Sequence, residues 1–408
     1  MTNTVLSGLR VIEGSAFIAA PSAGMTLAQQ GADVIRFDPI GGGLDYTRWP
    51  ITSDGRSLYW HGLNKGKRSI AIDIRSPRGR ELITALICAP GDRGGVFLTN
   101  FAASGWLDYD ALAAQREDLI MVNITGNADG SSEVDYTVNP STGLPYMTGS
   151  GGIDAPVNHV LPAWDLITGS QAAVALLSAE RHRRQTGKGQ YVRLALSDVA
   201  FATMGNLGFI AEEQINGSHR TANGNELYGA LGSDFLTKDG IRIMIVAITK
   251  RMWRSLVVAT GLASEFDVLA ERKGVDLDDE GDRFSVSGEL CALLDVWCRQ
   301  RDYHDIKQAL DGAGVLWSRY QSVGESLTED PRCSTINPMF AEIDQAGIGP
   351  YLTPGSPMEF SALPRHPPRR APLLGEHTEE ILVDMLGLSS GEIASLHDAG
   401  VVASSSAG

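Results

Sequence analysis

Between Leu6 and Thr125 the sequence switches repeatedly from short apolar runs to amphipathic stretches, and this alternation restricts the fold more than any other feature. The apolar runs fall at residues 9–13, 33–37, 69–74, 96–99 and 119–125. Helical patterns at 21–30, 76–88 and 108–115 separate most of them, the first stopped by Gly31. Runs too short for helices, joined by segments long enough for crossovers, predict a mostly parallel sheet buried on both faces. In such sheets ligands gather beyond the carboxyl ends of the strands. Those ends carry Gly14-Ser15-Ala16-Phe17-Ile18-Ala19-Ala20, Asn100-Phe101 and the chain from Gly126 onward.

The first of these turns lacks a G-x-G-x-x-G pattern, which argues against a nicotinamide or flavin site. Its small residues would still let a ligand approach the backbone at a helix N-terminus. Residues 41–66 follow no period, and loops of that length in compact domains are usually functional. They hold Gly41-Gly42-Gly43, Arg48-Trp49-Pro50 and, running on, Asn64-Lys65-Gly66-Lys67-Arg68. Lys65, Lys67 and Arg68 could meet phosphates; the ordinary role of such a cluster is a solvated face.

A polar loop over residues 126–152 leads to a second informative stretch, Trp164-Asp165, at the mouth of a long helical pattern. Ala172 to Leu177 and Ala179 are apolar on every face, predicting a helix buried in a core and closing on Arg181-His182-Arg183-Arg184. Two roles fit Asp165. One is a helix cap using free N–H groups. The other is a nucleophile kept ionised by those groups and walled by Trp164.

From about Asn216 the pattern changes. Residues 235–244 read as an antiparallel hairpin turning at Asp239-Gly240. Helical patterns follow at 252–260, 288–299 and 303–310, with an acidic loop at 276–282. The expected organisation is a large α/β domain over 1–215, to which 336–408 returns, and a small α+β domain over 216–335.

A net charge of −15 argues against nucleic acid as a partner. No run approaches the roughly 18 to 20 apolar residues of a membrane span, and no basic segment followed by an apolar one opens the chain, so a cytoplasmic location without membrane association is expected. Cys88, Cys291, Cys298 and Cys333 form no C-x-x-C pair and lack His at ligand spacing, so neither zinc nor a disulfide framework is expected.

A set of short landmarks runs nearly end to end: Leu6-Ser7-Gly8-Leu9-Arg10-Val11, Gly31-Ala32-Asp33-Val34-Ile35-Arg36, Asn64-Lys65-Gly66-Lys67-Arg68-Ser69 and Thr99-Asn100-Phe101. The Asp165 helix, Thr186-Gly187-Lys188-Gly189-Gln190, Thr237-Lys238-Asp239-Gly240 and Leu374-Gly375-Glu376-His377-Thr378 follow. In this order they resemble the class III coenzyme A transferases, the CaiB/BaiF family. The resemblance implies a Rossmann-like large domain built from both chain ends, a small middle domain and an interlocked homodimer. It also implies an acyl-CoA substrate, with CoA as part of the substrate, no permanently bound cofactor and no metal.

Carried over by position, the resemblance makes Asp165 the nucleophile. It assigns CoA contacts to Phe17, Ile18, Ala19, Leu63, Asn64, Lys65, Gly66, Asn100, Phe101 and Tyr136. Ile18 stands where the formyl-CoA branch has Gln, and residues 102–108 contain no base, which passes the CoA phosphates to Lys65, Lys67 or Arg68. Val134 stands where racemases of this fold have His, which speaks against racemisation. Glu13-Gly14-Ser15-Ala16-Phe17, the stretch 37–46, the stretch 134–140 and the stretch 158–165 are closest to the branch acting on mesaconyl-CoA.

That likeness implies intramolecular CoA transfer from the C1 to the C4 carboxyl through an aspartyl-CoA intermediate. An intermolecular transferase and a non-catalytic CoA-binding scaffold are the alternatives. Arg48, beside Tyr46 and Trp49, is the expected partner of the free carboxylate. Backbone N–H groups near Asp165 or the glycine loop 224–232 are expected to hold the oxyanion. Phe17-Ile18-Ala19, Tyr46, Trp49 and Trp164 are expected to make the pocket cramped and apolar.

Overall fold

The computed structural model describes residues 4–150 and 155–405. These fall into two compact units. The larger takes in the chain up to Gly143, His159–Ser218 and everything from Pro331 onward. Its centre is a seven-stranded sheet. Six strands are parallel: β1 (Arg10–Gly14), β2 (Asp33–Asp38), β3 (Arg68–Ile72), β4 (Val96–Thr99), β5 (Ile120–Thr125) and β6 (Gln190–Ala195). The order is β3-β2-β1-β4-β5-β6, and the short strand Val402–Ala403 pairs antiparallel with β3 at the edge. β1 is therefore flanked by β2 and β4, and the winding direction reverses between β1 and β4. That reversal opens the crevice in which doubly wound sheets bind ligands.

Side chains alternate across the strands and feed two separate cores. Ile12, Ile35, Phe37, Ile70, Phe97 and Met121 pack on one face, with Leu82 and Ile83 of the Pro77–Ile87 helix and Ile381 and Leu382 of the Thr378–Leu386 helix. Val11, Val34, Leu98, Ile120 and Val122 pack on the other, against Ala23 and Leu27 of the Ala19–Gln29 helix and Ala172 and Leu176 of the Ala163–Thr186 helix. These last two helices touch at Gly169, where a Cβ would stand 2.1 Å from Ser22 Oγ and 2.7 Å from the Ala19 carbonyl. Only glycine allows that approach, which sets Asp165 one turn away beside the end of β1.

The Ala163–Thr186 helix is buried along one stripe rather than all round; Val174 is 59% exposed. The expectation of a wholly enclosed helix is corrected for the single chain. The loop expected over 126–152 contains two short helices, Asp135–Ser141 and Leu144–Met147. The tail also contains an antiparallel hairpin, Phe340–Gln345 with Gly349–Pro354.

The smaller unit comprises Leu144–Asn158 and His219–Asp330, where the sequence reading drew it at 216–335 without the first segment. It has a three-stranded antiparallel sheet ordered Leu231–Leu236, Arg242–Ala247, Leu316–Arg319. Its core is built on Trp253, Phe266, Leu290, Leu294 and Trp297 and includes Cys298, with Cys291 against it. The expected acidic loop is helical from Glu280 to Ser285, and Asp279 caps that helix by accepting from Asp282 N–H. Among the described residues no helix is long and apolar enough to cross a membrane.

Candidate active site

Asp165 is the third residue of its helix, yet it is not the cap. The cap comes from Asp135 on the Asp135–Ser141 helix. Asp135 Oδ2 accepts from Trp164 N–H at 2.7 Å and from Asp165 N–H at 3.1 Å. Ala163 N–H donates to the Leu161 carbonyl and Leu166 N–H to the Pro162 carbonyl, so the first-turn donors are all engaged. No hydrogen bond reaches the Asp165 carboxylate among the described residues. Burial, with the neighbouring Asp135 charge adding, pushes its pKa up to about 7, against the pull of Arg48. The N–H groups expected to hold Asp165 ionised or to bind an oxyanion are taken instead by Asp135 and by backbone carbonyls. Trp164 does not wall the carboxylate either. It is buried, with Nε1 donating to Asn139 Oδ1 at 3.1 Å.

The carboxylate lines a cavity of about 510 Å³ at the carboxyl ends of β1, β4, β5 and β6. Phe17, Ile18 and Ala19 contribute from the first turn, Asn100 and Phe101 from the second, and Ile124 to Gly126 from the third. Val134, Asp135 and Tyr136 close one side, Arg48 and Tyr59 another. Phe17 has φ +66°, the left-handed region that costs a non-glycine residue energy. Asn100 holds the preceding residue on both sides, accepting from Ala16 N–H at 2.9 Å and donating to the Ala16 carbonyl at 2.8 Å.

Arg48 spans the rings of Phe17 and Tyr59, its Cζ 5.3 Å from each centroid. The expected carboxylate partner thus lines the same cavity as Asp165. Burial pushes the Tyr59 phenol up; Arg48 opposes that and Asp165 reinforces it, so Tyr59 stays a neutral donor at ordinary pH. Trp49 is 73% exposed and lines neither this cavity nor the one beside it, and Tyr46 turns its ring edge-on to buried Trp60. Tyr46, Trp49 and Trp164, expected to cramp the pocket, do not line it; its aromatic side chains are Phe17, Tyr59, Phe101 and Tyr136.

The basic cluster divides. Lys65 lines a second cavity of about 660 Å³ with Ile18, Tyr59, Leu63, Leu166 and Tyr351, part of whose wall is the Gly349–Pro354 strand. Its Nζ donates to the Pro354 carbonyl at 2.9 Å, and burial lowers its pKa to about 8. Lys67 is fully buried and donates to Glu13 Oε1, the Pro21 carbonyl and Asn64 Oδ1 at 2.7, 2.9 and 2.9 Å. Arg68 pairs with Asp33 and Glu380. Lys67 and Arg68 are thus taken up by carboxylates of the chain, Lys67 by buried Glu13 and Arg68 by partly exposed Asp33 and Glu380, and of the three only Lys65 lines one of these two cavities.

Asn64 is buried too, accepting from Arg36 as well as Lys67, and Gly66 N–H donates to the Arg370 carbonyl. Both hold the loop rather than line either cavity. Arg36 in turn is paired with Asp38 and Asp45, anchoring the start of the loop that carries Arg48 and Tyr59. The glycine loop 224–232 lies in the smaller unit, where Gly224 N–H donates to the Gly149 carbonyl.

Asp135, Asn139 and Tyr59 were missed by sequence reasoning. A cap supplied from 30 residues upstream has no local signature. Tyr59 follows Ser57, whose Oγ accepts from Trp60 N–H; that serine cap was the one available signal for the short helix Leu58–Leu63.

One relative, the 2-methylfumaryl-CoA isomerase of Chloroflexus aurantiacus, is 59% identical over 98% of both chains. A succinyl-CoA:mesaconate CoA-transferase of Haloarcula marismortui is 30% identical over 95% of this chain and 97% of its own. A crystal structure of a CaiB/BaiF family protein from Brucella suis superposes with a TM-score of 0.75 at 27% identity, covering 94% of this chain and all of that one. The profile described as CoA-transferase family III matches residues 6–378, and the chain belongs to that family.

Proposed function

We propose that the protein moves CoA within one substrate molecule, converting mesaconyl-C1-CoA to mesaconyl-C4-CoA through acylated Asp165. The observation that carries this reading is the Asp165 carboxylate, free of hydrogen-bond partners among the described residues and sharing a cavity with Arg48. The Chloroflexus aurantiacus relative bears the name of that activity.

Every step is acyl transfer. The Asp165 carboxylate attacks the C1 thioester carbonyl, the C–S bond breaks, and a mixed anhydride and CoA thiolate result. Thiolate attack on the aspartyl carbonyl gives aspartyl-CoA and the free dicarboxylate. The C4 carboxylate then attacks aspartyl-CoA and expels thiolate, which returns to the C4 carbonyl and frees Asp165. A nucleophile with a pKa near 7 is substantially ionised at neutral pH while remaining more basic than an ordinary carboxylate. Tyr59 supplies an O–H donor for developing oxyanions. Arg48 holds the substrate's free carboxylate while its rings fix the guanidinium plane. The neighbouring apolar cavity, with Lys65 at its wall, takes the CoA arm.

A retained dicarboxylate reacts at an effective concentration of up to about 10⁵ to 10⁸ M, which an acid from solution does not match. The alternative, an intermolecular transferase, keeps Asp165 and takes its acceptor from solution. Its support is the 30% identical relative and a cavity that Trp49 and Trp164 do not narrow.

The deciding experiment supplies mesaconyl-C1-CoA with excess ¹³C-labelled free mesaconate or unlabelled succinate. Unlabelled mesaconyl-C4-CoA as sole product supports the proposal; label in the ester, or succinyl-CoA, overturns it in favour of the intermolecular reaction. The protein acts as an interlocked homodimer in the same proposal. Its support is a set of exposed apolar side chains on the larger unit: Val174 in the Ala163–Thr186 helix, Leu207 just after the Leu196–Asn206 helix and Ile215 in the Phe209–Asn216 helix are 59, 63 and 81% exposed. Native mass spectrometry showing only monomers would remove that part.

A further inference from the structure

Asp135 is 1% exposed, and its two oxygens meet different fates. Oδ2 accepts from the Trp164 and Asp165 N–H groups, while Oδ1 is buried with no hydrogen-bond partner among the described residues. Burying a carboxylate with one oxygen bare is costly. If capping were the whole task, Ser or Asn would do it without placing a charge in the interior. Asn139, one turn further on, takes the Trp164 indole N–H. The short helix thus grips the start of the Asp165 helix at two points, from a segment that itself lines the cavity.

The charges that act most on Asp165 are Asp135, which repels its charge, and Arg48, which attracts it; Tyr59, Glu133 and Tyr136 are the other titratable groups lining the cavity. Taking Asp165 as the nucleophile, as proposed above, we infer that Asp135 is a positioning residue with two roles. It fixes the first turn of the nucleophile's helix through two backbone N–H groups, and its charge destabilises the resting Asp165 carboxylate.

Acylation converts the Asp165 carboxylate to a neutral anhydride and then a neutral thioester. The repulsion disappears in those states, which lie lower relative to resting enzyme than they would without Asp135. A reversible transfer gains from this, because an aspartyl thioester far above the substrate thioester would scarcely form.

The test compares Asp135→Asn, which keeps an acceptor, with Asp135→Ser, which caps without charge, so that a folding failure of one leaves the other to decide. Asp165→Ala is run beside them. Initial rates are measured from about pH 5 to about pH 9, with hydroxylamine trapping of acylated Asp165 read by peptide mass. The inference expects the acid limb of the rate profile to fall by about one pH unit or more in either variant. The trapped fraction and the rate near pH 8 both fall. The variant-to-wild-type ratio is then higher near pH 5.5 than near pH 8, which a purely structural cap would not produce. Slower variants with an unmoved acid limb would overturn the role of the charge, as would wild-type rates and trapping. Turnover by Asp165→Ala, or hydroxamate at another residue, would instead remove the underlying nucleophile reading.

Discussion

Asn100 and Ala16 are joined by a closed pair of hydrogen bonds, the Asn100 amide donating to the Ala16 carbonyl and accepting from its N–H. The pair crosses from the end of β4 to the end of β1, the point where the sheet reverses its winding. Next in sequence is Phe17, held at φ +66° and lying under Arg48. An amide side chain that mimics a backbone strand therefore maintains the strained turn at the cavity wall.

Asn100→Ala removes both bonds that brace the turn and leaves Phe17 to hold its left-handed conformation without them. The expected result is a loss of about 1 to 3 kcal/mol in stability. A rise in KM for the CoA ester should accompany it, since Phe17 and Ile18 shift together. Phe17→Gly in the Asn100→Ala background should recover part of the stability, because glycine holds a positive φ without strain. Denaturant unfolding of the single and double variants checks this; equal losses in both would show that the turn stores no strain.

Lys65 and Lys67 are two residues apart and should behave as different classes of residue. Lys67→Ala leaves Glu13 buried without its cation, and breaking one side of a buried pair costs about 3 to 5 kcal/mol. Little folded protein is expected. Lys65→Ala removes one bond to the Pro354 carbonyl and should fold. Its KM for acyl-CoA should rise with kcat nearly unchanged, the pattern of lost uniform binding. Melting curves with steady-state kinetics separate the two, and an unchanged KM in Lys65→Ala would exclude it from the CoA site.

Much of this could be read from sequence, for identifiable reasons. Parallel strands buried on both faces leave uninterrupted apolar runs, and Val96–Thr99 is buried at all four positions. Asp165 was legible because it is the only acid before Glu180, at the mouth of an alanine- and leucine-rich helical stretch. The hairpin Phe340–Gln345/Gly349–Pro354 was not, because Pro350 and Pro354 sit in a half-exposed strand and mask its period. Lys67 looked like part of a basic surface because nothing local announces Glu13, 54 residues earlier. Asp135 was hidden in the same way: its partners are backbone groups on another helix.

Asp165→Asn should stabilise the protein in a pH-dependent way. The folded pKa, about 7, lies above the ordinary 3.8, so the unfolded chain releases this proton first. Stability contributed at this site therefore falls as pH rises from about 4 to about 7, then stays at its lowest value. The neutral amide escapes that penalty. The gain should be negligible near pH 4 and greatest near pH 8, at most about 4 kcal/mol and less once solvent relaxation is counted. Melting temperatures of the two proteins across pH give the answer; a constant offset would mean that the carboxylate is not destabilised in the folded state. Such a gain with loss of turnover is the usual exchange between stability and activity at a site carrying an uncompensated charge.

Arg48 gives the last prediction. Its guanidinium lies over two rings, and among the described residues no carboxylate forms a salt bridge with it. Lys restores the charge but neither the planar stacking nor the two-pronged grip on a carboxylate. If Arg48 holds the free carboxylate of a dicarboxylyl-CoA, Arg48→Lys and Arg48→Ala should both lose kcat/KM by about 10²-fold or more. The loss should vanish for half-reactions with a monocarboxylyl-CoA, whose acyl group has nothing for Arg48 to bind. Acylation of Asp165 by mesaconyl-C1-CoA and by a monocarboxylyl-CoA of similar size, trapped with hydroxylamine, measures the two cases side by side. An equal fall for both substrates would place Arg48 in general support of the Asp165 charge, with the second carboxylate held elsewhere.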